Sequence, residues 1–540
     1  MSRDIILRSP VAHPYSPHFY ILLSAAITVF VGMLLLISSA FLLMGFSLEW
    51  YHIPLAAIPT MLFVWWGSGQ CFPQAGRRMF VITSAWAVGA FIVFALLNGW
   101  IYDTTWDGQN YHYEAILQLS NGWNPFYENP TNAIYFQHLE QAKAFHMLFM
   151  LAAYLLCAAA FSTFRTLKRQ WVVLLSILVV FNPVSLYQIF TFYVDGLMSS
   201  LLVIVISLFI LIYRQPSRLL MITLASAIVI MVNIKLTGAI YAVILGGSYS
   251  VWFIWHKKRY RVELVTCLLV GYFAGILLVG YNPYITQYIG QFLSNGDPFY
   301  PSNLKTFIPL EDNVPSNFLG MGWGEKLLTS LFSKSQATKG PSQYKWPFTV
   351  AFDEILTFYT PDTRVAGFGP LFGGALLLTV VLLIIAFARY RRRLMLASSI
   401  LLLLGAILAS GLSNPEAWWA RFVPQLWMLP LLTILLVMVT TPRGKLHRLS
   451  RIIVIILCIN QLLIASPYLV SAIAHSILEK QQMSQLKNTG KPIFITFNNF
   501  VSIESRFKEW GIEYQSVDEL PCDVSQWQLI IGTEARICSP

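Results

Sequence analysis

Long apolar runs separated by short polar stretches fill this 540-residue chain from near its start to about residue 470. A helix that crosses the hydrocarbon core needs about 20 mostly apolar residues, and stretches of that kind recur about 13 times here. Runs such as Ala375 to Ala388 and Leu394 to Leu408 show no alternation of apolar and polar positions and are too long for barrel strands, so the spans are read as helices. The first apolar stretch, near Phe19 to Phe46, exceeds the core of a signal peptide and lacks a small-residue cleavage pattern, so it is expected to stay as an anchor.

The polar positions carry the topology. Only 11% of residues are charged and 56% are hydrophobic, against roughly 25% charged in a soluble domain. The net charge of +11 could point to nucleic acid, but its placement argues for a membrane instead. Arg3 and Arg8, Arg77 and Arg78, Arg165 with Lys168 and Arg169, Arg214 and Arg218, Lys257 to Arg261, Arg389 to Arg393, and Arg443 to Arg451 occupy alternate connections, almost without acids. By the positive-inside rule these loops are cytoplasmic, in contact with anionic membrane lipids, and no nucleic-acid partner is expected. The N-terminus is then inside, and an odd number of spans puts the C-terminal tail outside.

The expected fold is an α-helical polytopic membrane protein with a small C-terminal α/β domain. Residues 1–78 hold two N-terminal spans, 79–281 a seven-helix core with a first outer loop at 99–142, 282–368 a large outer loop, 369–474 the last spans, and 475–540 the outer domain. In the first loop, Asp107 to Gly122 reads as one short helix along the membrane surface. The second loop opens with an amphipathic stretch, Tyr284 to Leu293, followed by a turn at Asn295 to Pro298, and its polar, Lys-rich stretch Ser333 to Tyr344 suits a mobile lid. The tail reads as strand Pro492 to Phe497, helix Ile503 to Trp510 and strand Trp527 to Ile531. Roughly 55 residues barely support a core, so a staple is expected, and Cys522 and Cys538 lie where an oxidising compartment would let them pair. Cys71, Cys157, Cys267 and Cys458 have no metal-ligand spacing.

Candidate chemistry concentrates in the outer segments. Asp103, Trp106, Asp107, Tyr111, His112 and Glu114 form the densest cluster. Asp107, just before Gly108 and Gln109, reads either as an N-cap or as a general base, since a carboxylate beside an apolar wall gains proton affinity. Asp103 is the second candidate base. Asp195 stands where a helix cap or a site acid would. Lys235 either snorkels to headgroups or meets an anionic partner. Arg421 lies close to Glu416, which makes a local ion pair one reading of both.

The spacing from Asp107 to Tyr111, then to Gly122, Trp123, Asn124 and Pro125, resembles the first outer loop of the GT-C superfamily of glycosyltransferases, in particular the lipid A aminoarabinose transferases and the protein O-mannosyltransferases. The resemblance implies that Asp107 is the catalytic carboxylate. Tyr135 and Phe136 fall at that group's Tyr-Phe pair, while Gln137 and His138 replace its acid and lysine. Asp195, within Tyr193-Val194-Asp195-Gly196, resembles the second acidic position that organises the acceptor or a metal. Lys235, followed by Leu236, Thr237 and Gly238, resembles the lysine-glycine turn that holds a lipid phosphate. Arg421, within Trp418-Trp419-Ala420-Arg421-Phe422-Val423-Pro424, is similar to a late arginine near the site. The match covers about Phe80 to Tyr281; beyond residue 300 only the layout agrees.

What the resemblance implies is transfer of a sugar from a polyprenyl-phosphate donor to a glycolipid, polysaccharide or protein acceptor, with inversion, on the periplasmic face of a bacterial inner membrane. A divalent ion stays open, since Asp103, Asp107 and Asp195 could assemble one, but their spacing selects none. Two other classes compete. A transporter or flippase of lipid-linked glycans would want paired ions at mid-membrane, and the spans are poor in them. An O-antigen polymerase or ligase would want arginine and histidine in its large loop, whereas Tyr281 to Phe368 holds one arginine, Arg364, and no histidine.

Overall fold

The computed structural model describes residues 16–124, 126–127, 139–256, 260–279, 313–441, 443–490, 493–498 and 500–538, with every side chain among them except those of Tyr111, Met395 and Leu396. The described residues are 72% helical with a small C-terminal sheet. Helices are the form an apolar chain can take in lipid, because each satisfies its own backbone hydrogen bonds. Seven helices among the described residues are long and apolar enough to cross a membrane, and shorter apolar helices at Arg169–Val180, Arg218–Ile234, Ser398–Leu412 and Pro424–Thr440 accompany them. The chain is therefore a membrane-embedded, polytopic helical protein.

Burial sorts these helices into centre and rim. Asp195–Arg214 is buried on nearly every face and packs against Ala144–Ser162 and Arg218–Ile234. Small residues sit at the contact with Ala144–Ser162: a Cβ at Gly196 would lie 3.4 Å from His146 Nδ1, and Ser207 bonds Cys157, a composition that lets backbones approach where lipid offers no hydrophobic drive. Gly76–Trp100 is equally apolar yet buries only Met79, Thr83 and Asn98, so it forms part of the rim.

The helix ends are sorted by charge. Asp195 opens its helix and Arg214 closes it. The basic loops meet one another at one end: the Arg214 guanidinium lies 4.7 Å from the Phe164 ring, and the Trp171 and His447 rings are 6.5 Å apart. The segments that carry Asp103, Glu140 and Arg421 lie at the other end, where the tail domain docks.

That tail is a four-stranded sheet in the order β2-β1-β4-β3, with β1 Ile493–Thr496, β2 Tyr514–Ser516, β3 Gln528–Leu529 and β4 Arg536–Cys538. The helix Ile503–Trp510 connects β1 to its parallel neighbour β2, and β4 runs antiparallel to both β1 and β3. β2 and β4 are additions to the strands expected from sequence. A disulfide joins Cys522 to Cys538, closing the stretch that carries β3.

The 44-residue helix Lys445–Asn488 runs from the membrane part into this domain, and its Met483 belongs to the domain's own core. A buried ionic knot fastens the junction. Arg506, from the tail helix, bonds Glu479 of the long helix and lies 2.9 Å from Glu140, which also pairs with Lys143. The Arg506 guanidinium also donates to the Asp103 carbonyl at 2.9 Å. All four charged side chains are at most 5% exposed, so the two cations and two carboxylates must neutralise one another.

Two loops differ from expectation. Asp107 to Gly122 is not one regular helix: a π-helical turn at Gly108–His112 precedes an α-helix at Tyr113–Ser120. Ser333 to Tyr344 is pinned, not a loose lid. Ser333 bridges Tyr344, Gln336 bridges Val365, and buried Ser335 donates to the Ala366 carbonyl. Tyr284 to Leu293 and the turn at Asn295 to Pro298 lie outside the described residues.

Candidate functional site

The segment around Asp103 sets the geometry of the first loop. Asp103 is 1% exposed; its Oδ1 accepts from the Thr105 N–H at 2.8 Å and hydroxyl at 2.6 Å, and its Oδ2 accepts from the Phe192 N–H at 2.7 Å. Burial pushes its pKa up to about 6, against the pull of Lys143. The Thr105 hydroxyl accepts in turn from the Gly108 N–H at 3.2 Å, so Thr105 does the capping. A Cβ at residue 108 would lie 2.0 Å from Asp103 Oδ2, which is why glycine stands there. With both oxygens committed, Asp103 is a scaffold for the loop. Asp103→Asn should lower the unfolding midpoint, because the new amide would turn a donor toward the Phe192 N–H and leave it unsatisfied, at about 1–3 kcal/mol. An unchanged midpoint in thermal unfolding would contradict this role.

Because Thr105 does the capping, the Asp107 side chain makes no cap hydrogen bond. It reaches the far side of the sequence: Asp107 Oδ2 accepts from Arg421 Nη2 at 3.0 Å. Arg421 comes from the turn Ala420–Phe422 in the last outer loop, and its planar fork meets three carboxylates. Nη1 donates to Asp362 at 2.8 Å, and Nε lies 3.0 Å from Asp195 Oδ2. Three aromatic rings flank the guanidinium, those of Tyr193, Trp419 and Phe422, at 4.7, 5.0 and 5.4 Å. A delocalised, weakly hydrated cation tolerates such a box better than an ammonium would.

Lys235 completes the cluster. It is an extended residue between Arg218–Ile234 and Leu236–His256, with its Nζ 2.8 Å from Asp195 Oδ1 and 4.3 Å from the Phe422 ring. The following glycine makes this break possible, since a Cβ at Gly238 would sit 2.1 Å from the Met231 carbonyl. Its side chain is 29% exposed against 11% for Arg421, so of the two cations Lys235 has the more open side chain. Three carboxylates meet these two cations, and Arg364, 5.0 Å from the Trp419 ring, adds positive charge beside Asp362 and Asp107.

The surroundings adjust the remaining groups. Burial pushes the His112 imidazole down to about 4, although Asp107 and Asp195 pull the other way, so the ring is neutral at pH 7. Burial raises the Asp362 carboxyl against the pull of Arg421, and its second oxygen accepts from the Tyr193 hydroxyl at 3.2 Å.

Of the residues singled out from sequence, Asp107, Asp195, Lys235, Arg421 and His112 are brought together, and Asp103 sits behind them. Glu416 is elsewhere. Its carboxylate accepts from the Trp418 indole, and the local pair with Arg421, one of the two readings from sequence, does not form because three other acids surround that guanidinium. Tyr135 and His138 lie outside the described residues, as does the Tyr111 side chain. Asp103 and Asp195, the candidate metal ligands, have their oxygens bonded within the protein, and among the described residues no three His, Cys, Asp or Glu side chains are grouped to hold a metal ion. Asp362 and Tyr193 were not expected as site groups. No family model matches the chain, and neither does any curated protein.

Proposed function

We propose that the protein is a membrane glycosyltransferase of GT-C type, moving a sugar from a polyprenyl-phosphate donor to a glycolipid, polysaccharide or protein acceptor at the periplasmic face of a bacterial inner membrane. The observation that carries this reading is the use made of Asp107. Its carboxylate is spared from capping and held by Arg421 beside Asp195, Asp362 and Lys235, at the helix ends opposite the basic loops. Counting His52–Cys71 and Arg261–Ala274 with the other apolar helices is in keeping with about 13 spans. The N-terminus is then cytoplasmic and the tail periplasmic.

In this mechanism Asp107 takes the proton of an acceptor hydroxyl as that oxygen bonds the anomeric carbon. The bond from that carbon to the phosphate oxygen breaks, the lipid phosphate leaves with the electron pair, and the configuration inverts. Lys235 offsets the charge that grows on the leaving phosphate. Arg421, occupied by carboxylates, fixes the orientation of Asp107. Placement of the charges at helix ends and not at mid-membrane favours this over a transporter or flippase.

The test is transfer of radiolabelled sugar from synthetic polyprenyl-phosphate sugars to extracted membrane lipids. Asp107→Asn should lower turnover by roughly 10²–10⁴-fold, the usual worth of a general base, with folding intact. Equal turnover by the variant would remove Asp107 from the chemistry.

A further inference from the structure

A cavity of about 210 Å³ adjoins the cluster at Asp362, and its walls come from five separate parts of the chain, Phe190 and Thr191 among them. Trp106 belongs to the first loop, Tyr359 and Asp362 to the second, Ser471 and His475 to the long last helix, and Gly532 to the tail domain. Pockets for drug-sized ligands measure roughly 300–1,000 Å³; this one has room for a single monosaccharide ring and not for an oligosaccharide.

The lining has the two faces that a pyranose presents. Trp106 and Tyr359 are exposed residues that line the cavity, and their rings are flat amphipathic surfaces of the kind that receive the apolar C–H face of a sugar. Polar groups cover the rest. His475 Nδ1 lies 2.9 Å from the Ser471 carbonyl and 3.0 Å from its hydroxyl. The tautomer with its proton on Nδ1 satisfies the carbonyl and leaves Nε2 as an acceptor for a hydroxyl. Gly532 has φ of 78°, and a Cβ there would meet Thr104 at 2.9 Å, so the tail closes this wall by direct backbone contact with the loop that carries Asp107.

We infer that this cavity is the subsite for the one sugar ring that is transferred, and that His475 and the tail domain select it. The inference rests on the transferase reading, and it makes the tail part of the sugar site.

The test uses the full chain in lipid nanodiscs and saturation-transfer NMR with free glucose, mannose, galactose and N-acetylglucosamine. At least one pyranose should give a signal. Ala472→Phe, which fills the cavity from the last helix, should abolish it. His475→Ala should weaken binding about tenfold, the size of one hydrogen bond, while His475→Gln, which keeps an acceptor, should retain it. A signal that survives both Ala472→Phe and His475→Ala, or no signal from any of the four sugars with the wild-type chain, overturns the inference. The probes contain no phosphate or lipid. Sugar binding of the expected pattern without transfer from any polyprenyl-phosphate donor would therefore leave the subsite standing and sink the transferase.

Discussion

Arg421→Met should be among the most damaging single substitutions in the chain, costing about 3–5 kcal/mol of stability and, with it, transfer activity. The side chain it removes is 11% exposed and faces Asp107, Asp195 and Asp362. Without it these acids confront one another in a weakly screening setting, offset by Lys235 at Asp195 and by the Arg364 charge beside Asp362. Arg421→Lys should rescue little, because a point charge cannot span three carboxylates that a planar fork reaches in three directions. The companion variant Arg421→Met with Asp195→Asn should recover part of the loss, since it takes away one of the stranded charges. Thermal unfolding in detergent reads all three; a single variant as stable as the wild type would mean that the acids are not held by this guanidinium.

The second large effect is expected at Arg506. Arg506→Met leaves Glu140 and Glu479 buried with Lys143 as their remaining cation, again at about 3–5 kcal/mol. The two losses should look different. Arg421 ties the last loop to Asp107 in the first and Asp362 in the second, so its removal should loosen these loops together. Arg506 holds the tail to the long helix and to the Asp103 carbonyl, so its removal should release the tail first. Hydrogen exchange should then rise across 493–538 while the buried helix Asp195–Arg214 stays protected. A uniform rise across the whole chain would argue against a junction of this kind.

Much of the architecture could be read from the chain because an apolar run announces itself residue by residue. The tail helix Ile503–Trp510 was equally plain, framed by polar residues and closed by Gly511. β2 and β4 were not, since a strand of three residues has no period to detect and is defined by a partner distant in sequence. The same distinction runs through the site. Asp107, Asp195, Lys235 and Arg421 stood out as charges at the ends of apolar stretches, but nothing local said that Arg421 would choose Asp107, 314 positions away, over Glu416, five positions away. Asp362 was overlooked because Thr360-Pro361-Asp362-Thr363 reads as a turn, a complete local explanation for an acid. Asp107 posed the converse problem. Its place before Gly108 fits a helix cap, and only the geometry shows Thr105 already filling that role.

The long helix Lys445–Asn488 has one more consequence. At 1.5 Å per residue its 44 residues span about 66 Å, roughly twice the hydrocarbon thickness, so it works as a mast fixed at both ends. A mast of this type sets angle as well as height. One residue inserted between Ser476 and Glu479 would swing everything beyond it by about 100° and lift it by about 1.5 Å, carrying Glu479 out of phase with Arg506. Seven would nearly restore the bearing, but about 10 Å too high for the tail to close over the first loop. The segment is therefore a gauge whose length tolerates substitution on its lipid-facing side and no change of residue number.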